Sequence, residues 1–324
     1  MAIVTEIFDS LPDFGPEFVL DRDEDLLLTI PPHPMRGTWE AASALPVYHT
    51  PSEYEEMRFA PPRGVFEGPN LRIEWQNMNG RQPFYHRNTD AEEISFQVAG
   101  DRTLMTELGT VELRPGDFSQ IPVGVAHDNF GRQDIHLLFY LHGPVTTSTH
   151  PAFVSQHLLP PFEGWAPAQL CEATTSCLGG PHCDVAVSLA EETLLLNAAA
   201  TRAERLAVFR ASEQQGETEW LYKTARIWIG TTLLNASSPR TYRRRRLADE
   251  IQYQVAGRRI LITQRGTVTL EPGDYVSIPF GCAFASVVTE PSQHLSVLTR
   301  EKAPAVNEPV RFAELAAATR LGGF

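Results

Sequence analysis

Only four cysteines (Cys171, Cys177, Cys183 and Cys282) stand in 324 residues, too few for the disulfide framework of a small secreted domain. Three of them recur every six residues around His182. That spacing lacks the close CxxC pairing usual for zinc, so free thiols packing as small hydrophobes are expected. No run approaches eighteen apolar residues, so no membrane-spanning helix is expected. Basic residues are outnumbered: 27 Lys and Arg against 40 Asp and Glu leave a formal charge of −13. Phosphate backbones recruit cationic surfaces, so this balance argues against a nucleic-acid binder. The opening stretch MAIVTEIFDSLPDF carries acids where a secretion signal needs a basic region and an apolar core. The expectation is a soluble, cytoplasmic protein.

What is present is ordinary globular chemistry, with 42% hydrophobic and 21% charged residues, which excludes wholesale disorder. The length fits two domains, or one domain built twice. Residues 93–124 read EISFQVAGDRTLMTELGTVELRPGDFSQIPVG, and residues 250–281 read EIQYQVAGRRILITQRGTVTLEPGDYVSIPFG. The two align without a gap at an offset of 157, with QVAG, GTV, PGD and IP-x-G in register. This is a duplicated domain. Each copy consists of short β-favouring runs split by Gly, Pro and Asp, the pattern of an all-β sandwich or barrel. Helical signals are confined to the connections and the ends; the strongest are 190–212, between the copies, and 311–321, with Ala-rich amphipathic spacing. Pro31–Pro34, Pro61–Pro62 and Pro160–Pro161 mark extended connectors. The expected division is an arm with the first barrel over 1–150, a linker with a helix over 151–215, and a second barrel with a terminal helix over 216–324.

The first copy carries a spaced set of polar residues: Gly80, then His86, Asn88, Glu93 and Gly100, followed by Gly116, Pro122, Gly124 and His127. This resembles the two-part signature of the cupin superfamily, G-x5-H-x-H-x3,4-E-x6-G followed by G-x5-P-x-G-x2-H-x3-N. The match covers Gly80–Asn129 and, in structural positions only, Gly257–Gly281. Two departures stand out. Asn88 replaces the usual second His, and Asn129 follows His127 by two residues instead of four. The resemblance implies duplicated double-stranded β-helix barrels, and a metal held by His86, Glu93 and His127.

The spacing has its own physical sense. Alternate strand residues share a side, so His86 and Asn88 face one way. Glu93 opens the next strand, and His127 lies on a strand returning past both. Two imidazoles and a carboxylate converging on one ion leave positions open for substrate and dioxygen, the facial-triad arrangement of non-haem Fe(II) oxygenases. Glu92 and Glu93 are adjacent and only one can face inward. The six-residue gap to Gly100 selects Glu93, with Glu92 as the alternative. An inward Glu93 also places Ser95 and Gln97 inside and leaves Ile94, Phe96 and Val98 to pack outward against another layer.

The run His86-Arg87-Asn88 is similar to the stretch around the first His ligand of homogentisate 1,2-dioxygenase, where a Glu six residues on, here Glu92, is the ligand. The chain also resembles bicupin ring-cleaving dioxygenases for gentisate and salicylate, in which one copy keeps the metal. In the second copy the ligand positions become Arg243, Arg245, Glu250 and Phe284; a lone carboxylate among arginines cannot hold a transition metal. The Arg243–Arg246 run is read first as alternate arginines pairing Glu250 inside with the others solvated. The sharper alternative is an anion pocket, because paired guanidiniums grip carboxylates.

Around the metal, Asn88, His136 and Tyr140 are the candidate catalytic groups, the last two on one face of a strand over 135–141. Gln97 and Arg102 are the candidate substrate contacts. The expectation is a mononuclear Fe(II) dioxygenase (Mn, Ni or Zn as alternatives) that cleaves a carbon–carbon bond of a hydroxylated aromatic or related small substrate with O2. Homo-oligomeric assembly is expected. The rivals are a cupin isomerase or lyase using the metal as a Lewis acid, and a non-catalytic binding bicupin.

Overall fold

The computed structural model describes residues 2–12, 14–29, 43–57, 61–156, 169–180, 182–212, 214–237 and 240–315. They form an all-β, duplicated cupin-type fold, with two short helices, Glu24–Leu28 and Glu192–Thr201. In the first copy, Phe84–Asn88, Glu92–Thr106, Gly109–Leu113, Asp117–Ile121 and His127–Leu141 build one barrel. In the second, Thr241–Arg245, Asp249–Ala256, Arg259–Thr263, Gly266–Leu270, Asp274–Ile278, Ala283–Val287 and Ser292–Thr299 build the other.

The repeat survives in three dimensions. His86 lies opposite His127, and Arg243 lies opposite Phe284 at the matching place. Gly100 and Gly257, which close the first half of the motif, both have positive φ (+64° and +66°). A Cβ on either would meet a backbone carbonyl, Gln133 O at 2.0 Å or Pro291 O at 2.1 Å. Only glycine tolerates both demands.

The outward faces of the copies pack against each other. Ile94, Phe96, Phe118, Leu137 and Phe139 share one buried cluster with Ile251, Tyr253, Tyr275, Leu295 and Val297, and Val98 packs on its margin. This is the layer that an inward Glu93 requires. The aromatic pairs also repeat: Phe96 and Phe118 have ring centroids 4.6 Å apart at 45°, and Tyr253 and Tyr275 have them 4.5 Å apart at 45°.

Strand pairing does not follow chain order. Ile3–Asp9 precedes the first copy yet runs parallel to Thr241–Arg245 of the second, with Ile7 opposite Arg243. Pro46–His49 pairs with Asp274–Ile278, Val47 opposite Val276. Reciprocally, Cys171–Ser176 precedes the second copy and runs parallel to Phe84–Asn88 of the first, with Ala173 opposite His86. Ala207–Arg210 pairs with Asp117–Ile121, Val208 opposite Ser119. Each arm completes the barrel it does not precede, so the arm reckoned with the first barrel lies on the second.

The expected helix over 190–212 is shorter, Glu192–Thr201. Its C-terminal part is instead the strand Ala207–Arg210, because the apolar run there meets an open strand edge. At 311–321, Arg311 and Phe312 form a strand against Pro46–His49 rather than a helix, and 316–321 lies outside the described residues. Pro61–Pro62 leads into the strand Arg63–Glu67, whereas the other two proline runs lie outside the described residues. No helix is long and apolar enough to cross a membrane. The four cysteines are free thiols, Cys177 and Cys282 buried.

Candidate metal centre

His86 sits in Phe84–Asn88, Glu93 at the head of Glu92–Thr106, and His127 at the head of His127–Leu141. The last strand pairs with both others, which turns a 41-residue sequence separation into contact. One ligand atom from each of the three lies within 4.8 Å of the others, and this is the one such His/Cys/Asp/Glu group among the described residues. His127 Nε2 is 3.5 Å from Glu93 Oε2, and the His86 and His127 rings are 5.1 Å apart at 76°. His127 Nδ1 faces the carbonyl of Val125 at 3.4 Å, which leaves Nε2 turned to the site.

Burial, then the neighbouring His127, pushes His86 down to about 4; burial does the same to His127. Both are therefore neutral near pH 7, with lone pairs free to bind a metal. Glu93 is buried, and among the described residues its one ion-pair contact is His127. A buried carboxylate facing two neutral imidazoles lacks a cation, and this donor set fits a divalent first-row ion.

Glu93 faces the site. Glu92 points away, accepting from Gln120 Nε2 at 2.6 Å and from the Val145 N–H at 3.0 Å. Asn88 does not line the cavity. Its Nδ2 donates to Glu93 Oε2 at 3.0 Å and its Oδ1 accepts from Cys177 Sγ at 3.1 Å, so it orients the carboxylate.

The triad opens onto a cavity of about 430 Å³, walled by Phe84, Leu138, Tyr140, Gln76, Gln82, Asn129 and the hairpin residues Cys171, Ala173, Thr175, His182 and Val187. Tyr140 thus reaches the cavity as its strand face requires. Burial, then Glu93 and Glu74, raises its phenol well above the ordinary range, so it stays protonated.

Three candidates lie elsewhere. His136 is fully buried behind the wall, its Nδ1 2.9 Å from Asp134 Oδ2. Gln97 is also fully buried, donating to Ala99 O at 2.9 Å and Asp134 Oδ1 at 2.5 Å. Its second-copy counterpart Gln254 makes the same turn bond, to Ala256 O at 2.8 Å, which identifies a shared structural role. Arg102 donates from Nη2 to Ser95 Oγ at 2.6 Å, is only 1% exposed and does not line the cavity.

His182, unassigned from sequence, is the main omission. Its ring stands 4.9 Å from Tyr140 at 86° and 6.2 Å from His86, and its Nε2 is 3.6 Å from Glu74 Oε2. Burial, then Arg72, holds it down at about 3. Burial pushes Glu74 up to about 7, against the opposing Arg72 guanidinium. No local pattern marks His182, because it arrives on an arm that pairs across the repeat.

In the second copy, Arg245 Nε donates to Glu250 Oε2 at 2.6 Å where Asn88 serves Glu93. The arginine run is less solvated than expected. Arg243 meets Asp9 rather than Glu250, at 3.2 Å. Arg244 is largely covered and bonds Glu6 through Nε at 2.6 Å. Arg245 also reaches Asp9 at 2.8 Å, and Arg246 bonds Pro16 O at 2.9 Å. These partners come from the N-terminal arm.

No protein-family model matches the sequence, and no curated protein is detectably similar to it. Among solved structures, the chain resembles a cupin 2 conserved barrel domain protein from Leptotrichia buccalis (10% identity, TM-score 0.46, 76% of this chain and 92% of that one). It resembles AerE from Microcystis aeruginosa (11%, TM-score 0.43, 75% and 99%) and a variant of Bacillus subtilis oxalate decarboxylase (12%, TM-score 0.43, 85% and 82%). The fold assignment rests on the strand pairing and the internal repeat.

Proposed function

We propose that the chain is a metal-dependent bicupin enzyme whose first barrel holds one divalent ion through His86, Glu93 and His127. Within that class we read it as a mononuclear non-haem Fe(II) dioxygenase cleaving a carbon–carbon bond of a hydroxylated aromatic or related small substrate. The observation that carries this reading is the placement of two neutral imidazoles and one carboxylate, within 4.8 Å of one another, on the wall of a cavity of about 430 Å³. Iron held by such a triad supplies the redox chemistry that joins an organic substrate to dioxygen. The same donors accept Mn, Ni or Zn.

The chain's own residues supply the rest. Phe84, Leu138, Ala173 and Val187 offer an apolar surface for a ring. Gln76, Gln82 and Asn129 offer hydrogen bonds at its edge. Tyr140 keeps its proton and serves as a donor. Asn88 fixes the orientation of Glu93, and the Cys171–Leu189 hairpin screens the cavity from water. The Glu74–His182 pair beside the cavity favours a second reading, a redox-neutral lyase or isomerase in which that pair handles a proton. The leading reading takes the protein as a cytoplasmic homo-oligomer acting on a small molecule and O2.

The test is elemental analysis of anaerobically purified protein, then O2 uptake against a panel of hydroxylated aromatic acids. Iron with substrate-dependent uptake supports the dioxygenase. Turnover that survives without O2 replaces it by the lyase or isomerase. A His86→Ala protein that loses the metal yet still binds the small ligand marks a binding protein.

A further inference from the structure

The wall of the first-barrel cavity carries one charged side chain besides the ligand Glu93, and it is Asp184. No Lys or Arg lines the cavity among the described residues. The nearby guanidiniums are engaged elsewhere: Arg72 with Glu67 and Glu74, Arg81 with Asp128 and Glu192, Arg87 with Glu107 and Glu172. Asp184 Oδ1 accepts from Thr175 Oγ1 at 2.9 Å, and among the described residues no cation pairs with it.

Asp184 faces the cavity because the hairpin is bulged there. In the strand Cys171–Ser176 the alternate residues Cys171, Ala173 and Thr175 line the cavity. Across the hairpin, Leu189 lies opposite Cys171 and Val187 opposite Ala173. Unbroken alternation would set Val185 opposite Thr175. The register shifts instead between Thr174 and Thr175, so Asp184 takes that place, and Val185 stands out, 63% exposed. Bulges re-aim side chains and are over-represented next to active sites. This one exchanges an apolar residue for a carboxylate on the cavity face. The charge is felt at the triad, where burial lowers His86 and Asp184 opposes that shift.

Reach agrees with this placement. Ala173 pairs with His86 and Thr175 with Asn88, so the strand of Asp184 is two removed from that of His86. At a strand spacing of about 4.8 Å the separation is about 10 Å. A catechol held at the triad by its two oxygens, with a two-carbon arm, spans a length of that order.

We infer that Asp184 selects substrates by the charge at the end remote from the metal, favouring a hydroxylated aromatic whose side chain carries an ammonium group. The inference rests on the metal-chelating reading of the first barrel and adds the outer charge of the substrate to it. The ammonium donates to the Asp184 oxygen that Thr175 leaves free. A carboxylate at that end meets Asp184 with no guanidinium to compensate it. A carboxylate held by the metal itself is not affected.

The experiment is anaerobic calorimetric titration of the full-length, metal-loaded protein with three catechols, alike except for an ethyl, aminoethyl or carboxymethyl arm opposite one hydroxyl. The aminoethyl ligand is expected to bind about tenfold or more tighter than the carboxymethyl ligand, with ethylcatechol between them. Asp184→Asn, which can keep the bond from Thr175, is expected to erase most of that gap, and Asp184→Lys to reverse the order. Equal or reversed affinities in the parent, or an order that neither variant moves, overturn the inference while the chelating reading stands. Ethylcatechol binding that does not need the metal, or no such binding, overturns the chelating reading and the inference with it.

Discussion

Asn88 Nδ2 donates to Glu93 Oε2 at 3.0 Å, so the residue standing where cupins usually carry a second His holds the carboxylate rather than a metal. Groups that orient a ligand matter to affinity almost as much as the ligand does. Asn88→Ala is expected to weaken metal binding by about 10- to 100-fold while leaving the fold intact. Competition with a chromophoric chelator measures it, and parental affinity would mean that Glu93 needs no such anchor.

The two adjacent glutamates separate cleanly. Glu93→Gln is expected to abolish stoichiometric metal binding. Glu92→Gln keeps it, because that side chain is engaged by Gln120 and the Val145 amide on the far side. Elemental analysis of both variants decides the matter.

In the metal-less barrel the same position is an ion pair. Burial works to raise Glu250, but Arg245 and its hydrogen bonds hold the carboxyl below the usual range. Arg245→Met strands that buried charge and leaves Asp9 with Arg243. The expected loss is about 3–5 kcal/mol, read by urea denaturation, with metal content of the first barrel unchanged.

Acid should destabilise the metal-free protein from about pH 6.5 downwards. His86, His127 and His182 are held at about 4, 4 and 3, and burial lowers His136 and His294 too. Unfolded imidazoles take up protons near pH 6.5 and these do not, so the unfolded chain binds more protons below that pH and stability falls with it. Each group contributes up to about 1.4 kcal/mol per pH unit. Glu74 and Asp128, both pushed up to about 7, act with the opposite sign but are two against five. The thermal midpoint is expected to drop between about pH 6.5 and about pH 4.5; a flat profile would contradict the neutral-histidine assignment.

The triad is legible in the sequence because its geometry is local: strand alternation sets His86, Asn88 and Glu93, and glycine turns bring His127 back. The outward face of Ile94 and Phe96 follows from the same alternation. The arms are not legible, because nothing in residues 3–49 says which barrel offers an open edge. The reading of Arg243–Arg246 therefore holds only for Arg245 on Glu250 and the exposed Arg246: the other partners, Glu6 and Asp9, come from the far end of the chain. His182 is missed for that reason too. His136 and Gln97 share the inward face with Tyr140 and Glu93 yet sit deeper, and depth along a barrel is not encoded in alternation.

A unit with one arm and one barrel has no place for that arm except on another unit. The crossed arms make this polypeptide the covalent counterpart of a strand-exchanged pair of identical subunits. In such a pair any substitution appears at both sites at once, so one site cannot be spared while the other changes. Joining the units end to end removes that constraint. Arg243 and Phe284 can then occupy one centre while His86 and His127 keep the other, and the altered barrel still serves its neighbour as scaffold.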